Sequence, residues 1–343
     1  MSRLNTPYWD VGLLSALMPL RLLVATAIVL TSSDQPASTL GQRALLFSEC
    51  EADGRTAFLR ELSISAARDH LAGGFHEHAG GPKRLETNAL IVLALNREHR
   101  ATRDLFVRQT ILDTAAWGLK DMKDGEGVFF TSMGRDDGPT RAYFSFKESE
   151  LRAALGPDRS EEFFKTFELS PEGFLRLFGS PFAGLGATRE TLLLRRNRRV
   201  RLPLDERIDP QANGLWIAAL AQTAVELKRD DERLAAERAA RVLLARAGHA
   251  VPGLALGLLR LNEATGSAEW LDAANKVVDT SLALSGKQTA FDLSLLVRVL
   301  SDLPDGPSRP LRLRQRDRLL AELRNRFVGS AEQNAAECAA KTR

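Results

Sequence analysis

The chain has 343 residues, 44% hydrophobic and 27% charged, which is ample for a packed core and leaves little room for long disorder outside the ends. Its 47 basic and 44 acidic residues give a net charge of +3, a near balance that argues against nucleic acid as the main partner. The two cysteines, Cys50 and Cys338, form no Cys-x-x-Cys pair, and five histidines without ligand spacing leave thiol-redox and zinc chemistry unsupported.

Gly12–Thr31 is mostly apolar but broken by Pro19 and Arg21. A spanning helix needs about 20 apolar residues, and Arg21 falls mid-span. Leu22–Leu30 carries no charge and has two readings. As the apolar core of an export signal or anchor it follows Arg3 and Arg21 and precedes the small, polar Ser32–Ser38. As a buried β-strand it ends in the turn Ser32-Ser33-Asp34. Export or anchoring and a cytoplasmic location both remain open, and any membrane contact runs through this segment alone. Residues 1–54 form a leading segment with a linker at Ser32–Gly41, residues 55–328 a helical domain, and residues 329–343 a tail expected to fray.

Arg55–Leu71 reads as a helix ended by Gly73-Gly74. A recurring unit follows. Asn88–Leu95, Asn213–Leu220 and Gly253–Leu261 are apolar on nearly every side. Each leads through a polar joint into an amphipathic helix: Thr102–Leu119, Asp231–Arg246 and Glu269–Ser285. A helix apolar all round must be enclosed, and an amphipathic partner can cover it and face water. Such units stack, because none buries its apolar side alone.

Between the first and second units the period changes. Gly127–Ser132 and Arg141–Phe146 read as two short strands joined by a turn at Arg135–Pro139. Short helices are expected at Lys147–Leu155 and Ser160–Phe167, a turn at Ser170–Gly173, a loop at Pro181–Gly186, a helix at Thr188–Arg199 and an extended run at Val200–Pro210. Leu311–Phe327 is a last amphipathic helix. Two basic runs, Arg195–Arg207 and Arg309–Arg326, lack interleaved aromatics for base stacking and read as solvated helix faces. The sum is a mostly α chain, an α/α toroid or solenoid of hairpins with a small β-hairpin insert.

Four stretches resemble a known family. Asp69-His70-Leu71-Ala72-Gly73-Gly74-Phe75 is similar to its Asp-x-x-Gly-Gly-Gly-Phe segment. Gly127–Ser132 with Arg141–Phe146 is similar to its Gly-Phe-Tyr-Ser … Phe-Tyr-Val-Trp hairpin, and Glu148–Gly156 to the sequel. Arg199-Val200 through Asn213-Gly214-Leu215 is similar to the run from Arg-Val through Asp-Asp-Lys to Trp-Asn-Gly-Leu. The order and spacing, over roughly residues 57–285, resemble the thioredoxin-like family named after spermatogenesis-associated protein 20. That resemblance implies an N-terminal thioredoxin fold and an (α/α)6 toroid related to six-hairpin glycosidases and sugar 2-epimerases. Here the toroid is incomplete, since the chain ends before a sixth hairpin is finished. The family's His and Glu ahead of its Asp-Asn-Ala fall on Gly80 and Pro82, and its thioredoxin cysteines are absent.

Sugar chemistry in a toroid uses two carboxyl groups across a cleft, or an acid and a base at a ring carbon. The catalytic candidates are Asp205, Glu206 and Asp136. The binding candidates are His76, His78, Glu86, Asn88, Asn213 and Trp216, with Glu77 beside them. His76 and His78 share a side of an extended segment but make an incomplete metal pair, and a plain polar loop is the alternative. Asp205-Glu206-Arg207 lines a pocket or compensates itself on the surface. Asn213 suits an N-cap and Trp216 a core position. No cofactor and no metal is expected. The residues favour a divergent, non-catalytic scaffold that binds a carbohydrate or a protein, with a sugar hydrolase or 2-epimerase as the alternative. The turns at 73–78, 134–138 and 205–213 are expected to meet at one end of the toroid.

Overall fold

The computed structural model is described over residues 39–50, 52–179, 186–246, 250–284, 288–305, 307–327 and 330–341. The chain divides into Met1–Ala37 and Ser38–Arg343, and all described residues belong to the second unit. The Leu22–Leu30 signal or strand and nearly all of the Pro181–Gly186 loop lie outside the described residues. Among the described residues no helix is long and apolar enough to cross a membrane.

The three apolar stretches become helices buried through consecutive positions: α3 (Leu85–Thr102), α9 (Pro210–Leu227) and α11 (Pro252–Thr265). Their amphipathic partners are α4 (Leu105–Asp121), α10 (Asp230–Ala245) and α12 (Ala268–Ala283). All three hairpins turn in the same way. The residue after the inner helix sits in the left-handed region, Arg103 at φ 56°, Lys228 at 55° and Gly266 at 70°, and a second joint residue starts the outer helix. This αL stop satisfies the last carbonyls and reverses the chain within two residues.

Three more helices complete the inner layer: α1 (Leu40–Cys50), α13 (Ala290–Asp302) and α15 (Ala331–Lys341). Packing runs from α1 to α3, α9, α11, α13 and α15 and back to α1, a closed circuit of six. Outside it lie α2 (Ala52–Ile64), α4, α10, α12 and α14 (Arg309–Arg326). Five outer helices against six inner ones leave the toroid one short among the described residues, so the incomplete α/α toroid holds. Its closing members differ from expectation. Leu40–Cys50, placed in the leading segment, is the first inner helix. Ala331–Lys341, expected to fray, is the last, with Ala336 fully enclosed. Cys338 on α15 is disulfide-bonded.

The closest crossing in the ring is α9 on α11. A Cβ on Gly214 would stand 2.2 Å from the Leu254 backbone nitrogen, and one on Gly257 2.5 Å from the Gly214 carbonyl oxygen. Glycine is the residue type that lets these two backbones meet.

Between α4 and α9 the chain leaves the ring. It forms α5 (Gly138–Phe144), α6 (Glu148–Leu155), α7 (Pro157–Phe164) and α8 (Gly186–Arg196). The expected hairpin of Gly127–Ser132 with Arg141–Phe146 does not form. Asp137 accepts a bond from the Thr140 N–H and Pro139 occupies the first turn, so Arg141–Phe144 is helical. The strand material pairs elsewhere. β1 (Lys83–Arg84), β2 (Ser132–Met133) and β5 (Leu204–Asp205) make an antiparallel sheet, with Lys83 opposite Met133 and Ser132 opposite Asp205. β3 (Phe167–Leu169) and β4 (Leu175–Leu177) make the only two-stranded hairpin among the described residues, around the expected turn at Ser170–Gly173. The first predicted helix is also shorter than expected, because the chain turns after Ile64 to bring Asp69 inward.

Candidate functional site

β1 leads directly into α3 and β5 runs a few residues ahead of α9, so the three-stranded sheet caps the N-terminal end of the ring. Leu85 N–H donates to Thr131 O at 2.9 Å, Thr131 N–H to Asp205 O at 2.9 Å, and Gly134 N–H to Pro203 O at 2.8 Å. His78 Nε2 stands 3.4 Å from Asp136 Oδ1. The turns at 73–78, 134–138 and 205–213 therefore meet at one end, as expected.

The residues gathered there divide into structural and solvent-facing groups. Asn88, one turn into α3, accepts from Phe75 N–H at 2.6 Å and donates to Phe75 O at 2.9 Å and Arg84 O at 2.8 Å. Asn213, one turn into α9, repeats the pattern with Phe129 N–H at 2.8 Å, Phe129 O at 2.8 Å and Asp209 O at 3.0 Å. Both amides are fully buried and consumed in clamping a phenylalanine backbone onto the helix. The backbone occupies both amides, and Asn213 is not the N-cap. Asp209 is, accepting from Gln211 N–H at 2.8 Å and Ala212 N–H at 3.2 Å. Trp216 is a core residue, edge-on to Trp117 at 6.4 Å and Phe129 at 6.1 Å.

The three catalytic candidates face solvent. Arg207 pairs with Asp205 at 2.5 Å and Arg141 with Asp136 at 2.9 Å, and these partners hold both carboxyls below their ordinary range. Glu206 is exposed. Carboxylates so held stay ionised and cannot donate a proton near neutral pH. The two histidines separate as well. His76 is buried, with Nδ1 2.7 Å from Gly81 O, while His78 is half-exposed. Burial, and then the Lys83 charge, push His76 down to about 3, so it stays neutral. Among the described residues no group of three or more metal-type side chains is assembled.

Glu86 is different. Burial pushes its carboxyl up to about 7, and the charges of Asp209, Asp292 and Glu77 add to the rise against a 3.4 Å bond from Gln42 Nε2. This is the one candidate that carries its proton near neutrality. Its acidic neighbours are tied to backbone or to polar partners. Asp209 caps α9. Asp292 closes a capping box with Thr289 at the start of α13 and accepts from Gln211 Nε2 at 2.9 Å. Glu77 accepts from Thr87 Oγ1 and, at 3.3 Å, from Leu40 N–H.

A buried knot beside this end has no counterpart among the sequence candidates. Arg196 grips Asp69 with two bonds of 2.9 Å, and Lys83 Nζ reaches Asp69 at 2.5 Å and Gly73 O at 2.7 Å. Burial opposes the charge on Asp69, but Arg196 and Lys83 hold its carboxyl well below the ordinary range. Lys83 Nζ also lies 5.4 Å from the Trp117 ring and 5.2 Å from that of Phe144. The sequence signal was Asp69 ahead of Gly73-Gly74. Asp69 closes an Asx turn onto Leu71 and Ala72, and the glycines take positive φ. The basic run from Arg195 is correspondingly not a free helix face, since Arg196 is buried on Asp69 and Arg195 and Arg199 pair with Glu150.

No family model matches the chain, and no curated protein matches it either. Membership of the thioredoxin-like family is therefore not shown. The chain is similar to a solved structure of an unsaturated glucuronyl hydrolase variant with dGlcA-Glc-Rha-Glc, at 12% identity and a TM-score of 0.35, over 88% of this chain and 71% of that one. At that score the likeness carries no argument about chemistry, and the toroid rests on the helix packing above.

Proposed function

We propose that this toroid is a binding or interaction scaffold for a carbohydrate or protein partner rather than a sugar hydrolase or epimerase. The observation that carries the reading is the employment of the acids at the N-terminal end. Asp209, Asp292 and Glu77 are bonded into caps and loop contacts, and Asp205 and Asp136 are held by arginines. Glycoside hydrolysis of the two-carboxyl type needs one protonated and one ionised carboxyl group, both facing the same bond. A single protonated carboxyl, Glu86, does not meet that requirement.

Glu86 does favour the second reading, a sugar-modifying enzyme, because a carboxyl titrating near 7 is poised as a general acid. The two readings separate in one experiment. The full chain is assayed against aryl glycosides for hydrolysis and against N-acetylhexosamines for 2-epimerisation. The scaffold reading expects no turnover. Turnover that Glu86→Gln abolishes, in a variant that melts no lower than the parent, would replace it with the enzyme reading.

A further inference from the structure

On the flank of the small sheet, between the last turn of α4 and the segment from Leu193 to Leu204, lies a cleft of about 410 Å3. That volume suits a small ligand. Lys83, Lys120, Arg196, Arg199 and Arg201 line it, against one carboxylate, Asp121. Asp69 compensates Lys83 and Arg196 from beneath, and Glu150 compensates Arg199. Even with those two acids counted, five cations face three carboxylates.

The surplus sits on the rim. Lys120 and Arg201 are exposed, and their side chains make no ion pair or hydrogen bond with another described residue. The deeper cations are paired with carboxylates. Arg196 is gripped by Asp69 and stacked 5.4 Å from the Tyr143 ring and 5.3 Å from that of Phe144. Apart from Asn197, whose Oδ1 accepts from the Tyr143 hydroxyl at 3.2 Å, the remaining wall is largely apolar and includes Tyr143, Met133, Leu202 and Leu204. Unpaired positive charge at the lip of a concave wall of low polarity concentrates field and draws anions. An apolar face beside it rewards a ligand with a carbon body over a bare ion.

We propose that this cleft binds an organic anion of metabolite size, its phosphate or carboxylate held by Lys120 and Arg201 and its body laid against Tyr143, Met133 and Leu204. The site is distinct from the acids around Glu86 and stands whether or not those acids catalyse. Titration calorimetry of the full chain with phenyl phosphate, phenylacetate, benzyl alcohol and inorganic phosphate tests it. The expected result is saturable, submillimolar binding of at least one organic anion, the tighter one telling phosphate from carboxylate. Benzyl alcohol and inorganic phosphate are expected to bind at least tenfold more weakly. Lys120→Glu and Arg201→Glu, both on exposed positions and checked by melting, are each expected to weaken binding tenfold or more. No saturable binding of either organic anion, binding unchanged in both variants, or inorganic phosphate binding as tightly as phenyl phosphate overturns the proposal.

Discussion

Asn88 and Asn213 fasten the Phe75 and Phe129 backbones to the N-terminal end of the ring, and their cost on removal is calculable. Each amide satisfies both backbone groups of a buried phenylalanine, and a buried polar group left unpaired costs roughly 1–3 kcal/mol. Asn213→Ala is therefore expected to lower unfolding free energy by about 2–4 kcal/mol in urea titration. Asp209→Ala, which removes only an N-cap, should cost about 1 kcal/mol. Equal losses would mean that the amide acts as a cap and not as a clamp. Glu86 gives a second residue-scale prediction. Its carboxyl titrates near 7 when folded against an ordinary 4.5, so between those values the folded chain keeps a proton that the unfolded chain has lost. The associated stability is intact below about 4.5 and is lost as pH rises through 7, on the order of 1–3 kcal/mol. His70 and His76 act with the opposite sign. Both titrate near 3 when folded against 6.5, so their contribution is intact above 6.5 and is lost on acidification. Glu86→Gln should remove only the alkaline loss, so its advantage in urea midpoint over the parent grows from pH 5 to pH 8. Parallel profiles would show that Glu86 does not titrate in this range. The sequence marked Asn88, Asn213 and Glu86 as special but not why. Asparagine one turn into a helix looks like a cap or a ligand, and only the returning loops, 13 and 84 residues earlier, show it to be a clamp.

The inner helices of the three repeated hairpins, α3, α9 and α11, were the most legible elements, because burial on every side forces an unbroken apolar run that no surface helix carries. The insert was the least legible. Arg141–Phe146 alternates polar and aromatic residues like a strand, and the competing signal, Asp137-Gly138-Pro139-Thr140, is a helix start that outweighs it. The three-stranded sheet was unreadable for another reason. Its two-residue strands leave no periodicity, and they pair across gaps of about fifty to seventy residues. Glycine in α9 and α11 gives the element-scale prediction. In an exposed helix Gly→Ala gains about 1 kcal/mol, but at Gly214 the added carbon meets the Leu254 backbone nitrogen at 2.2 Å, and backbone cannot step aside as a side chain can. Overpacking of this kind costs roughly 1–3 kcal/mol or more. Gly214→Ala is expected to lower the melting temperature clearly, while Gly138→Ala, with nothing within 4 Å, leaves it unchanged or slightly raised. A Gly214→Ala variant as stable as the parent would mean that α9 and α11 stand farther apart than described.

At the scale of the whole molecule the question is what closes the ring. Stacked hairpins bury their faces pairwise, so an open array leaves its first and last inner helices bare. Here α15 covers α1, and the C-terminal end of the ring adds a belt of ion pairs that spans helices remote in sequence. Glu49 on α1 bonds Arg97 on α3 at 2.6 Å and Arg298 on α13, and Asp302 on α13 bonds Arg260 on α11 and, at 2.6 Å, Arg298. These groups line an axial cavity of about 410 Å3 to which all six inner helices contribute. The arginines there are matched by acids, which is why this cavity reads as a lock and the flank cleft as a ligand site. The pattern of single hairpins could not announce this closure, because neither Leu40–Cys50, with only Ala44–Phe47, nor the alanine-rich Ala331–Lys341 has an apolar run as long as those of α3, α9 and α11. Each is short, and it is buried by the company it keeps. Removing Glu49 takes away the only carboxylate partner of Arg97 among the described residues and leaves Arg298 with Asp302 alone, and for two half-buried guanidinium groups this is a loss of roughly 1–3 kcal/mol. Glu49→Gln is therefore expected to destabilise the chain by that order, and truncation after Phe327 to do more, exposing both α1 and α13. The readout is the cooperativity of urea unfolding followed by tryptophan fluorescence. All four tryptophans of the sequence precede the cut, so the same reporters survive it. A truncated chain with an unaltered, single steep transition would show that the ring does not depend on α15. A broadened or two-step transition, with the Glu49→Gln variant shifted in midpoint but still steep, is the outcome that closure requires.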